Sequence, residues 1–469
     1  MLILAGIAGA NVPLTRVSAD PYVNQSSQHA TEVEPDTFVH GGTVVATFQV
    51  GRFFDGGASD TGVVRSGDGG VTWGAPGFLH LTFNSGGPGP YERVSDPSVA
   101  YDSAHGTWLI SSLPLLPDIS SPTVLINRST DDGRTWGSPI SIPPPVSNSV
   151  DLDKNWTVCD NHPASPFFGH CYTQFDNFGD GDRLLMSRSI DGGLTWSTPI
   201  QPAGKDKGLG GQPVVQPSGR VIVPYEALNN SISAFYSDDG GLSWTKSVKI
   251  ASVHDHGVAG GLRTSPLPTA EIAGDGRVYV AWQDCRFRQR CASNDIVFAN
   301  STDGVSWSAP FRVPIDDVTS GVDHFIPGLA VDSATSGRGT HLALTYYFYP
   351  DANCAGGCQL DVGYISSPDG GAHWGSPIQL AGPMGLGLIA QTSQGPMVGD
   401  YISTSFSAGR ATSVFAVGFP SGAPFDEAMY APTTPLQVTA PARATRAASS
   451  TGVVAPGKGA GTNLAVHRR

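Results

Sequence analysis

The sequence predicts an all-β protein, a β-propeller of seven blades, and three observations predict it. A short pattern, Ser-x-Asp-x-Gly-x-Thr/Ser-Trp, recurs six times along the chain. Glycine (59 residues) and proline (37) are abundant, as many short strands and tight turns require. No stretch carries the sustained 3.6-residue periodicity of helices. A chain of 469 residues is long enough for two or three average domains, yet the repeat runs through it unbroken and argues for one ring.

The copies are SGDGGVTW, STDDGRTW, SIDGGLTW, SDDGGLSW, STDGVSW and SPDGGAHW, with first serines at 66, 129, 189, 237, 301 and 367, so that they lie 48–66 residues apart. The fifth is one residue short, and the sixth has His373 where Thr or Ser is usual. Six of the nine tryptophans close a copy. Each copy joins two short β-like runs, such as TVLINR before the second and SPISIP after it. The Asp can accept hydrogen bonds from the turn's N–H groups, the glycines supply positive φ, and the Trp is an apolar plug against a neighbouring strand. The pattern is therefore read as a folding device, repeated at a period that suits four-stranded blades.

Residues 1–31 form an N-terminal segment. Its opening MLILAGIAGA looks like the tail of a secretion signal without the basic start, and a strand near Leu14–Ser18 is expected to close the ring. The propeller is placed at 32–435. Within it seven runs open in the same way: EPDTFV (34–39), SDPSVAY (95–101), DKNWTVC (153–159), GQPVVQ (211–216), RTSPLPTA (263–270), DHFIPGLAV (323–331) and GDYISTSF (399–406). The last blade is read as 399–418 with 428–433, completed by the N-terminal strand. Six blades remain the alternative. Residues 436–469, rich in Ala, Thr, Gly and Ser, are expected to be a disordered tail or linker.

The net charge of −13 and isoelectric point near 5.2 argue against nucleic acid or an anionic membrane as partner, and no apolar run is long enough to span a bilayer. Six cysteines fall as close pairs, Cys159/Cys171, Cys285/Cys291 and Cys354/Cys358. Fifteen pairings are possible and proximity favours these three, as disulfides of a secreted protein, expected to be monomeric. No Cys/His spacing supports zinc.

The repeated pattern is the Asp box, also called the BNR repeat, and from about Glu34 to Phe419 the chain resembles the sialidase (neuraminidase) superfamily of Asp-box propellers. The box marks the fold and says little of activity. The family's F-R-I-P signature has only a partial counterpart in HFIPG (324–328), which carries no arginine. The family's enzymes are usually six-bladed, so the seventh opening is a departure.

In a propeller the start of each innermost strand shares a face with the loop between the second and third strands, and the boxes fall on the opposite face. Function is therefore sought in the openings and in those loops. Segments 49–62 and 283–296 look like copies of each other. Guanidinium groups bind a carboxylate through two parallel hydrogen bonds, so an arginine cluster would hold an acidic glycan or polysaccharide. The resemblance implies three arginines on the substrate carboxylate, a tyrosine nucleophile activated by a glutamate, and an aspartate as acid/base. By position Arg52, Arg263 and Arg286 supply the clamp, with Arg93, Lys154 and Tyr225 as further binding residues. Glu226 is the base, Tyr346 or Tyr401 the nucleophile, and Asp36 or Asp96 the acid.

A second reading is a polysaccharide lyase, with Arg286 or Lys154 on a uronate carboxylate and His324 and Tyr401 as base. A third is a ring that binds glycan or protein without turnover. No cofactor is required; Asp176, Asp180 and Asp182 offer oxygen ligands for a structural Ca²⁺, against a plain Gly/Asp turn.

Overall fold

The computed structural model describes residues 12–440. The expectations for Met1–Ala10 and for the tail beyond residue 440 lie outside them. The described chain is built of antiparallel sheets that follow one another in sequence order. The first runs Glu32–His40, Thr43–Arg52, Ala58–Ser66, Gly77–Phe78, and the second runs Arg93–Asp102, Thr107–Leu115, Leu125–Ser129, Ile140–Ser141. The later sheets repeat this order, and each opening read from the sequence contains or leads into an innermost strand. The last sheet runs Ser403–Ser407, Arg410–Gly418, Glu427–Pro432, and its outer edge is covered by the N-terminal strand Leu14–Arg16, which pairs with Tyr430–Pro432. Leu436–Gln437, placed in the tail by sequence, pairs with Arg410 and Ala411.

The innermost strands are tied to one another by a repeated link. Asp36 accepts from the N–H of Val99, Ser98 from Thr157, Gln212 from Ala270 and Thr269 from Leu329. Ser403 accepts from Thr37, which joins the last innermost strand to the first. The link is missing after Trp156, where the residue that should donate is Pro213 and has no N–H, and after Gly328, which has no side chain to accept from Thr404. A cavity of about 440 Å³ follows the axis on the Asp-box side, lined by Thr37, Val99, Trp156, Pro213, Ala270, Ala330 and Thr404 from these successive strands.

The boxes form the expected turns. In the first, Ser66 Oγ donates to Asp68 Oδ1 (2.8 Å) and accepts from the N–H of Gly70, while Asp68 accepts from the N–H (2.8 Å) and hydroxyl (2.6 Å) of Thr72. The copies at Ser189 and Ser237 repeat it. In the sixth, the imidazole of His373 stands 2.6 Å from Asp369 and replaces the missing hydroxyl. The glycines also rivet neighbouring sheets. A Cβ on Gly133 would stand 2.9 Å from Val45, on Gly241 2.9 Å from Tyr172, and on Gly70 2.5 Å from Thr412 of the last sheet. All three disulfides form as proximity suggested: Cys159–Cys171, Cys285–Cys291 and Cys354–Cys358. No helix among the described residues is long and apolar enough to cross a membrane.

Candidate functional site at the hub

Four innermost strands carry a β-bulge at the same register, and its residue is left-handed without being glycine: Glu34 (φ 56°), Asp96 (48°), Lys154 (51°) and Ile326 (48°). Such backbone costs energy, and it re-aims a side chain where the strand would otherwise alternate it away. The same position, two residues before the inter-strand link, is held by Gly210, Leu267 and Tyr401 on the other strands. The mouth of the hub thus has a charged arc of Glu34, Asp96 and Lys154, an apolar arc of Leu267, Ile326 and Tyr401, and a gap at Gly210.

Lys154 Nζ pairs with Asp400 and stands 3.2 Å from Asp96 and 3.8 Å from Glu34. Arg263 grips the same Asp400 with two nitrogens, Nε at 2.7 Å and Nη2. Arg52 is buried and donates to Gln49 Oε1 at 2.8 Å; Gln49 in turn donates to Glu34 and to Ser95. The Nε of Arg52 has no partner among the described residues. A hairpin, Ala390–Thr392 with Gly395–Met397, is anchored beside Arg263 and the loop that follows Arg52. It accepts from Arg263 N through Pro396 O and donates from Ser393 N to Phe54 O.

Burial opposes ionisation of Asp400, but Arg263 and Lys154 hold it well below the usual carboxylate range. Lys154 is likewise held above the usual lysine value by its carboxylates, against burial. Burial, then Asp96, push Glu34 and Asp153 upward, so these two hold protons more tightly than free carboxyls. Tyr401 donates to Pro97 O at 3.2 Å, packs edge-on against Trp156, and is raised by burial and then by the nearby Glu34 carboxylate.

Of the residues singled out by sequence, the structure gathers Arg52, Asp96, Lys154, Arg263 and Tyr401. Others stand elsewhere. Arg286 lies on a separate loop, bound by both oxygens of Asp284 (2.8 and 2.6 Å), with its guanidinium 5.8 Å above the Trp282 ring. Arg93 is taken by Asp55 and Glu92 and stacks on Phe53. Tyr225 donates to Ser247 and is buried in the sheet packing. Glu226 is raised to about 7 by burial and Asp255, with neither Tyr346 nor Tyr401 beside it. Tyr346 is a core residue, packed against His324 and Phe348. Asp36 is spent on the inter-strand link, accepting from Val99 N and Thr37 N at 2.8 Å each. His324, the base of the lyase reading, is buried against Tyr346 and Phe348 and lowered by that burial.

Asp180 is paired with Arg183, and Asp176 is buried within the strand Cys171–Asn177. Asp295, Asp316 and His324 lie close enough to share an ion, but Arg288 and Arg312 both pair with those two carboxylates, and the group does not suit a metal. Sequence reasoning did not choose Glu34 and Asp400 as functional, although both lie in the openings, and missed Gln49. Its signal is the shared Gln-x-x-Arg of QVGR and QDCR in the two similar segments.

No family model matches the chain. A sialidase of Bacteroides fragilis is 33% identical over 100 residues, a stretch that is 18% of this chain and 18% of that protein. The phage phi92 endosialidase superposes with a TM-score of 0.51 at 13% identity, over 97% of this chain and 72% of that one. The Trypanosoma rangeli sialidase gives 0.46 at 15% identity, over 78% and 60%.

Proposed function

We propose that this chain, an all-β propeller with the fold of the sialidase superfamily, is a secreted glycoside hydrolase that releases a terminal acidic sugar at its hub. The observation that carries the reading is the convergence of Glu34, Asp96, Lys154, Arg263, Asp400 and Tyr401 from five distant openings onto one mouth. The short match to a sialidase supports the reaction class. The hub also lies on an axis lined by seven successive innermost strands, which supports seven blades. The disulfides fit an oxidising compartment.

In this reading Tyr401 is the nucleophile and Glu34, not Glu226, takes its proton; a neutral phenol avoids repulsion with an anionic sugar. Asp96 is the acid/base. Arg52 and Arg263 hold the carboxylate, and Arg286 has no part. Asp400 occupies Arg263 in the resting protein, so the substrate carboxylate competes with it or joins it through Arg52, whose Nε is free to donate. The lyase reading loses its base at His324.

Incubating the protein with 3'-sialyllactose and with a glucuronide, followed by ¹H NMR, tests the proposal. A free acidic monosaccharide supports it; an unsaturated product, or unchanged glycan, contradicts it.

A further inference from the structure

We infer that the axial cavity on the Asp-box side is a binding site for an organic cation, a primary ammonium on an apolar or aromatic body, whose charge is met by the carboxylate of Glu271. The inference does not rest on the hydrolase reading. On each innermost strand the mouth residues come before the inter-strand link, and Glu271, Phe38 and Phe406 come after it.

At about 440 Å³ the cavity has the size of a small-molecule pocket, well beyond the room that one trapped water needs. Its wall is mostly apolar: Phe38, Trp156, Val158, Ile272 and Phe406 line it, and each keeps part of its surface exposed. Glu271 lines it too and is likewise only half-buried, so solvent reaches its side chain.

The other polar side chains of the wall are engaged within the protein. Asp36 accepts from the N–H groups of Val99 and Thr37, and Asn161 donates to Tyr101 O and accepts from Ser103 N. His162 Nε2 stands 3.0 Å from Val215 O, and the hydroxyls of Thr157 and Thr173 bond each other. Glu271 differs. Only the N–H of Ile272 serves its carboxylate, with no side-chain donor and no cation among the described residues. Burial, then the charge of Asp36, raise it to about 8. At the mouth, Lys154 and Arg263 answer the buried Asp400, whereas this wall holds two acids and neither lysine nor arginine.

That imbalance selects the ligand. An unanswered carboxylate in an apolar cleft concentrates cations. An inorganic cation needs several oxygen ligands, and Glu271 belongs to no group of three ligating side chains among the described residues. A primary ammonium needs a single anionic acceptor, and the rings of Phe38, Trp156 and Phe406 can cover its hydrocarbon body and attract its charge. A carboxylate or phosphate would face two acids instead.

The test titrates the intact protein with 2-phenylethylammonium and with 2-phenylethanol, which has the same shape without the charge, and reads ligand NMR signals at about pH 8.5, where Glu271 is mostly ionised. The ammonium is expected to bind about tenfold tighter than the alcohol, which is ~1.4 kcal/mol. Glu271→Gln should erase that difference and leave the alcohol's affinity as in wild type, with a melting temperature unchanged or raised because a carboxylate that burial disfavours is gone. Lowering the pH toward about 6.5 should weaken the ammonium alone, since protonation removes the charge that Glu271 offers. Equal affinities for the two probes in wild type, or no binding of either at about 1 mM, would overturn the site. So would a Glu271→Gln protein that keeps the ammonium's advantage. The wild-type comparison of the two probes decides the matter even where the variant fails to fold.

Discussion

Lys154 and Asp400, 246 residues apart in sequence, form an ion pair across the mouth of the hub, and Arg263 holds the same carboxylate from a third opening. All three are largely buried, so the pair is a different object from a surface contact. Asp400→Asn removes the shared partner and leaves two buried cations under-compensated. Its cost is expected to be ~3 kcal/mol or more. Arg16→Ala, which breaks an exposed pair with Asp426, should cost less than ~1 kcal/mol. Guanidinium denaturation compares the two; equal small losses would show that the hub pair adds nothing.

The box glycines give a second prediction. Gly133→Ala and Gly241→Ala put a methyl group 2.9 Å from Val45 and from Tyr172 at positive φ, and each should lose ~1–3 kcal/mol. Gly41→Ala shares the positive φ (59°) but meets nothing within 4 Å, so only the backbone penalty of ~1 kcal/mol applies. Melting curves of the three variants check the order; a Gly41 variant as damaged as the others would remove the rivet.

These contrasts show what the sequence could convey. The boxes, the disulfide pairs and the closing strand were legible because each depends on residues a few positions apart or on a repeated period. Asp96, Lys154, Arg263 and Tyr401 were legible because equivalent openings share a register. The second-strand and loop candidates failed for physical reasons. Arg286 finds Asp284 two residues away and needs no substrate. Tyr346 and Tyr347 are neighbours that strand alternation sends to opposite faces, both into core. Asp36 looked like an acid, but whether it is free depends on the next strand's N–H, which no local pattern reveals.

Stability should peak in mildly acidic solution. Burial raises Glu32 and Glu271 to about 8 and Asp36 to about 7. Each binds its proton more tightly folded than unfolded, so its contribution is full below pH ~4 and is lost as pH rises to 7–8, by up to ~1.4 kcal/mol per unit. His324, lowered by burial, acts in the opposite sense and destabilises the fold as pH drops below ~6.5. The melting temperature is expected to be higher at pH 5 than at pH 8 and to fall between them, because three raised carboxyls outweigh one histidine, with Glu32→Gln flattening that fall. A melting temperature that climbs from pH 6 to 8 would contradict this assignment.

Binding of an acidic sugar should follow the same direction. The hub carries Glu34, Asp96, Asp153 and Asp400 against Lys154, Arg52 and Arg263. Protonation of the upward-shifted Glu34 and Asp153 removes negative charge from the place where an anion must bind. KM for 3'-sialyllactose is therefore expected to fall as pH drops from 8 toward 5.5. A KM that rises over that interval would count against an acidic substrate.

The most direct test is sugar release from 3'-sialyllactose by Tyr401→Phe and Arg286→Ala beside wild type. The hub assignment predicts that wild type and Arg286→Ala release the acidic sugar at similar rates, while Tyr401→Phe falls by at least ~100-fold. Equal rates for wild type and Tyr401→Phe, or a collapse confined to Arg286→Ala, would place the chemistry away from the hub.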